Sequence, residues 1–173
     1  GSQRSYGDPA YCTADPLRSL AMKCARCKMQ LKRDLRDGER VDACEQCQCF
    51  LIRVTRLKRI RARGLRSPEQ LMEDWREHTE IDVTPEVRCP RCRNMMDRRG
   101  IEGGNGIPQD SCKKCELMWC DPGELEIHLL AWSNSAKGKE AIQFKKIHES
   151  MSGHEKEVLE NRIKSLCLGH PSE

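Results

Sequence analysis

Apolar residues in this chain come in short groups, and the spacing inside each group predicts a different element. Leu35 and Val41 flank Asp37-Gly38, a two-residue turn signal, so a β-hairpin is expected there. After Phe50-Leu51-Ile52, the residues Val54, Leu57 and Ile60 recur three apart, a narrow apolar stripe on a helix that Gly64 would stop. Ser67-Pro68-Glu69-Gln70 then supplies an N-cap, a proline at the first helical position and a capping-box partner. The helix it starts carries Leu71, Met72 and Trp75 to His78. Ile81–Val87 reads as a strand, and Arg98–Gly106 as a glycine-rich hairpin tip. Asp121 is placed to cap a helix with Leu125, Leu129 and Trp132 on one side, broken by Ser133–Gly138. Two further helices are expected over Lys139–Ser150 and His154–Leu168, the second ended by Gly169 and Pro171. They should form a hairpin packed on the second cysteine-rich segment or on a partner.

The cysteines change this picture from a chain of short elements to a metal protein. Cys24-Ala-Arg-Cys27 is followed after sixteen residues by Cys44-Glu-Gln-Cys47. Cys89-Pro-Arg-Cys92 is followed after nineteen by Cys112-Lys-Lys-Cys115. Two thiolates spaced this way curl around one metal in a tight turn, and a hairpin between the pairs brings the second turn opposite the first. Each set of four therefore predicts a tetrahedral site, and the expected cofactor is zinc, two ions per chain. Of the four cysteines outside the tetrads, Cys12, Cys49 and Cys120 read as bystanders. His78, His128, His148, His154 and His170 make no metal-binding pair, which points to packing or solvated roles. Laid on each other, the two sets expose an internal repeat: Leu51 falls on Trp119, and Arg53–Leu57 fall on Asp121–Leu125.

The second repeat carries a resemblance. Cys89, Pro90, Cys92, Cys112 and Cys115, followed by Trp119, Asp121, Gly123, Glu124 and Leu125, resemble the TFIIB-type zinc-ribbon family over Cys89–Leu125. The segment departs from the family at Glu116-Leu117, where two glycines are common. The first repeat is similar only through its cysteines and Leu57. The resemblance implies two tandem zinc ribbons and no particular reaction.

With 173 residues, 12 cysteines and few aromatics, the chain is suited to small metal-stabilised α+β modules rather than one large core. The expected division is a flexible tail over 1–17, a first ribbon with a basic helix over 18–66 and a linker helix over 67–86. A second ribbon with a capped helix follows over 87–133, then a helical hairpin over 134–173. Thiols in CxxC pairs, without a signal peptide or a long apolar run, predict a reducing intracellular compartment, cytoplasm or nucleus, and no membrane.

Charge is what suggests a role. Residues 18–66 carry a net +10 and residues 67–173 a net −5. Zinc bound by four thiolates would bring these to about +8 and −7. Arg53, Arg56, Lys58, Arg59, Arg61, Arg63 and Arg66 decorate the helix after the first ribbon, the footprint of a polyanion binder. Arg53 and Arg56 sit where the second repeat has acids and oppose the helix dipole, a local cost that an external anion would offset. Nucleic acid, DNA or RNA, is the expected partner, in transcription, replication or nucleic-acid processing. A protein–protein adaptor is the alternative. A basic face open over Arg53–Arg66 favours the first; one closed against the chain's own acids removes it. No paired carboxylates, Ser/His/Asp set or phosphate loop is present, so no catalytic residue is assigned and no enzyme is expected.

Overall fold

The computed structural model describes residues 22–77, 85–101, 103, 106–151 and 153–168. Its first half opens on the expected hairpin, strands β1 (Lys32–Arg36) and β2 (Glu39–Ala43). Asp37 and Gly38 both take left-handed conformations, at φ 47° and 74°, and the register closes on Arg36 opposite Glu39. A two-residue loop of that kind matches the twist of its strands. Strand β3 (Phe50–Arg53) completes the half, and β4 (Asp97–Gly100), β5 (Pro108–Cys112) and β6 (Leu117–Cys120) build the second.

The two halves are not independent modules. All six strands form one antiparallel sheet in the order β1-β2-β3-β6-β5-β4, joined at its centre by β3 and β6. There Leu51 lies opposite Trp119, flanked by Phe50 opposite Cys120 and Ile52 opposite Met118. In the repeat alignment Phe50 corresponds to Met118 and Ile52 to Cys120, so each flanking pair is the image of the other. A pseudo-twofold axis therefore passes through the Leu51–Trp119 pair, an isologous contact made within one chain. Each half would otherwise leave a strand edge open; pairing the edges removes both.

Alternation along the strands sorts residues onto two faces. Val41, Ala43, Phe50, Ile52, Met118 and Cys120 point to one face, where helices cover them. Leu31, Leu51, Leu117 and Trp119 point to the other, where they pack with Val87, Met96 and the cysteines. Trp119, at 0% exposure, is the hinge of that second core.

Helix α1 (Val54–Arg63) continues directly from β3, burying Leu57 and Ile60. It stops where expected: Gly64 is left-handed, and its N–H reaches the Ile60 carbonyl at 3.0 Å. Helix α2 (Pro68–Arg76) has the full capping box, with Gln70 Oε1 accepting from Ser67 N at 2.8 Å and Ser67 Oγ accepting from Gln70 N at 3.3 Å. It packs on α3 (Glu124–Asn134), which is buried on nearly every side. Helix α4 (Ala136–Ser150) begins at Ala136 rather than Lys139, because Ser135 Oγ caps it by accepting from Gly138 N at 3.1 Å.

Two expectations are corrected here. Asp121 does not cap α3: the N-cap position is Gly123, without a side-chain cap, and the Asp121 N–H donates instead to Glu124 Oε2 at 3.0 Å. The C-terminal hairpin does not rest on the second half alone. Helix α4 lies on α3, while α5 (His154–Leu168) crosses to α1 of the first half, so the helical layer bridges the axis as the sheet does. The tail over 1–17 with Cys12, most of the Ile81–Val87 strand, His78 and His170 lie outside the described residues, as do 102, 104 and 105 of the glycine-rich tip. Among the described residues no helix is long and apolar enough to cross a membrane.

Candidate metal centres and basic face

Four turns build the candidate metal centres, and all four have one shape. The residue after each second cysteine is left-handed: Lys28, Gln48, Arg93 and Glu116, at φ 65°, 60°, 64° and 53°. In three of them an N–H returns to the first cysteine's carbonyl, Lys28 to Cys24, Gln48 to Cys44 and Arg93 to Cys89. Non-glycine residues take this conformation at a cost of about 1–2 kcal/mol each, so something must hold all four turns closed. Glu116 shares the left-handed conformation of the other three.

The turns bring the sulfurs together as the spacing predicts. In Cys24, Cys27, Cys44, Cys47 and in Cys89, Cys92, Cys112, Cys115, the four Sγ atoms lie within 4.8 Å of one another. Cys24–Cys47 and Cys27–Cys44 are 3.4 and 3.3 Å apart, and Cys92–Cys112 3.6 Å. Four sulfurs at about 2.3 Å around one ion would stand about 3.8 Å apart, so each group could hold a metal with small adjustment. The protonation chemistry agrees. Burial pushes the Cys24 and Cys115 thiols up to about 12. At Cys44, backbone and thiol hydrogen bonds outweigh burial and bring it down to about 7; at Cys92 the Asn94 amide leads the same fall. A metal ion there would take all four sulfurs as thiolates, so its binding would release protons. Cys49 and Cys120 belong to neither group: Cys49 Sγ donates to Asp121 Oδ1 at 3.1 Å, and Cys120 is a buried core residue.

Between the two centres lies a cluster that the sequence did not suggest. Arg26, inside the first CxxC, reaches across the axis to the second half. Its Nε donates to Asp121 Oδ1 at 3.0 Å, the oxygen that also accepts from Trp119 Nε1 at 3.0 Å. Its guanidinium lies 4.0 Å from Asp110, whose two carboxylate oxygens accept from Arg98 Nε and Nη2 at 3.0 and 2.6 Å. Burial would raise the Asp121 carboxyl, but Arg26, Cys49 and Trp119 hold it below the usual range. Glu124 beside it is pushed up to about 8, by burial first and then by the charges of Asp121 and Asp110. Asp121 stood out in the sequence for the wrong reason: the spacing marked a cap, and only tertiary contact makes it an ion-pair partner.

The basic residues divide. Arg66 is enclosed by Asp37, Asp74 and Glu126. Arg59 and Arg63 share the buried carboxylate of Glu39, at 3.1 and 2.9 Å. Arg61 turns inward onto His128 Nε2. Burial, then Arg61, pushes His128 down to about 3, so the neutral ring accepts this bond. Lys58 Nζ meets the Leu168 carbonyl at 3.2 Å. Thus Arg61 and Arg66 are enclosed by the chain's own groups, while Arg59 and Arg63 stay half exposed over one shared carboxylate. The beginning of α1 is open: Arg56 has only the Arg40 carbonyl, at 2.8 Å, and Arg53 has no hydrogen bond or ion pair among the described residues. Both stand near Asp42, whose carboxyl burial raises and Arg33, Arg56, Arg53 and Arg91 pull back. A helical wheel puts all seven cations on the surface; only the packed hairpin tip and α5 show which are spent internally.

Comparison of the chain with protein-family models, with curated proteins and with solved structures gives no match.

Proposed function

We propose that the chain binds two zinc ions, one in each cysteine tetrad, and acts as a nucleic-acid-binding protein made of paired TFIIB-type zinc ribbons. Cys24, Cys27, Cys44 and Cys47 would hold one ion, and Cys89, Cys92, Cys112 and Cys115 the other. Four thiolates close the coordination sphere, so the metals serve the fold and leave no position for a reacting water. The observation that carries the nucleic-acid reading is the excess of positive charge at the start of α1, where Arg53 and Arg56, with Arg33 and Arg91, are close enough to act on the Asp42 carboxyl. The interface is narrower than the whole helix, because Arg61 and Arg66 are engaged internally and Arg59 and Arg63 share the carboxylate of Glu39. Sequence-independent contact with phosphates is the expected mode. Phe50 and Trp119 lie in the core, which leaves little for base stacking.

The adaptor reading rests on a different surface. Ile147 and Val158 are exposed, at 41% and 58%, on the helical hairpin. Fluorescence anisotropy of zinc-loaded protein with labelled single- and double-stranded DNA and RNA separates the two. Nucleic-acid binding requires affinity at low salt that falls steeply as salt rises, and its loss in the double variant Arg53→Glu, Arg56→Glu. Wild-type protein that binds none of the probes at low salt overturns the proposal in favour of the adaptor.

A further inference from the structure

The pseudo-twofold axis gives the Arg26–Asp121 cluster a twin. Arg91 occupies the same place between Cys89 and Cys92 that Arg26 occupies between Cys24 and Cys27. Arg33 pairs with Asp42 across β1 and β2, as Arg98 pairs with Asp110 across β4 and β5. Asp42 lies opposite Leu51, as Asp110 lies opposite Trp119. At the remaining two places the halves differ: Arg53 stands for Asp121, and Arg56 for Glu124.

The consequences for charge are opposite. In the first cluster Arg26 and Arg98 meet Asp110 and Asp121, and Glu124 keeps its proton near neutral pH. Among the described residues two cations meet two carboxylates there, and its acids are buried at 2%, 8% and 3% exposure. In the twin, Asp42 stands opposite Arg33 in the sheet and feels Arg56, Arg53 and Arg91, while Glu39, the other carboxylate near Arg56, is already shared by Arg59 and Arg63. Among the described residues, Arg33, Arg53 and Arg91 make no ion pair. Two acids that closed one cluster have become two cations in the other, on the same backbone plan. Like charges so gathered repel, and a solvated face would spread them rather than collect them at one carboxylate.

We infer that the twin cluster is a binding site for a phosphate group of a nucleic-acid strand, which takes the place that the carboxylates of Asp121 and Glu124 hold in the first. The inference rests on the nucleic-acid reading above and assigns that reading a site. Guanidinium groups suit it, because each can present two parallel N–H donors to two phosphate oxygens. The site is also composite. Arg91 comes from the second half and the other three arginines from the first, so it exists only while β3 and β6 are paired and the Cys89–Cys92 turn is formed. Binding of phosphate should then depend on the second metal centre, although the basic helix belongs to the first.

Two variants test this, with zinc content and circular dichroism confirming the fold of each. In the first, Arg33→Gln with Arg91→Gln removes two guanidiniums that lie outside α1. Affinity for duplex DNA or RNA should fall at least tenfold, and the slope of log affinity against log salt should shrink by about 1–2. Lys139→Gln, which removes an exposed cation of α4 outside both cysteine-rich segments, should leave both within twofold. In the second, Arg53→Asp with Arg56→Glu installs the acids of the first cluster. This variant should lose binding and at the same time unfold at higher urea than wild type, since Arg91 gains the partner that Arg26 already has. A phosphate site predicts both changes together. Wild-type binding that survives Arg33→Gln, Arg91→Gln with an unchanged salt slope overturns the site and leaves the nucleic-acid reading standing. Wild type that binds no nucleic acid overturns both.

Discussion

Asp121 is the residue on which most depends, because one side chain serves both halves. It takes hydrogen bonds from Arg26 of the first, Trp119 of the second and Cys49 behind them. Removing one member of a buried pair strands the other, so Asp121→Asn should cost about 3 kcal/mol in urea unfolding. A loss below about 1 kcal/mol would show that Asp110, 4.0 Å from Arg26, takes over. Its neighbour Glu124 carries a pH dependence. Its folded pKa, about 8, lies above the ordinary glutamate value of 4.5, so between those pH values the unfolded chain gives up a proton that the folded chain keeps. The folded state binds more protons, and stability must fall as pH rises through that range. Glu124→Gln keeps an oxygen for the Asp121 amide and has no proton to lose. Unfolding free energies measured from about pH 6 to 8 should decline for wild type and stay flatter for the variant. Parallel curves would show that Glu124 is ionised in the fold.

At the scale of elements, the four cysteine turns and the α3–α4 corner bear the strain. Left-handed Lys28, Gln48, Arg93 and Glu116 have no glycine to relieve them, and the turns close around positions where metal would sit. Elemental analysis should give two zinc ions per chain, and one or none contradicts the assignment. Because Trp119 is enclosed among the cysteines of both tetrads, chelation should red-shift its emission as water reaches the indole. At the corner, a Cβ on Gly138 would stand 1.9 Å from the Trp132 carbonyl oxygen, which is backbone and cannot move aside. Gly138→Ala should therefore destabilise by about 3 kcal/mol even though alanine is the better helix former. A variant of wild-type stability would mean that α3 and α4 meet at a different angle in solution.

At the scale of the whole molecule, the sheet and the helical layer cross the pseudo-twofold axis on both faces. The helix-side core joins Val41, Phe50 and Ile52 to Met118, Cys120 and Leu125, and the knuckle-side core joins Leu51 to Trp119. With no core belonging to one half, unfolding should be a single cooperative transition. Cys112→Ser, which breaks only the second tetrad, should lower the stability of the entire chain. Two separated transitions, with the first half keeping its zinc and its signals after the second melts, would show that the pairing of β3 with β6 is weak.

Local chemistry made much of this protein legible in its sequence. The two tetrads follow from cysteine spacing, the Asp37-Gly38 hairpin and the Gly64 stop from left-handed positions, and the α2 start from its capping box. Each is settled within a few bonds along the chain, where steric and hydrogen-bonding rules act without regard to the rest. The repeat was legible too, but not its geometry: cysteine spacing says that two halves share a plan and says nothing of the edges by which they meet. Pairing β3 with β6 decided that Arg26 finds Asp121, that Arg91 comes to Asp42, and that a tandem array became one sheet. Contact of Arg61 with α3, of Arg59 and Arg63 with Glu39 of β2, and of Arg66 with the hairpin tip decided which arginines find partners within the chain. Charge read along a helix counts every cation alike; distance and burial set what each is worth, and both arise only when residues remote in sequence are brought together.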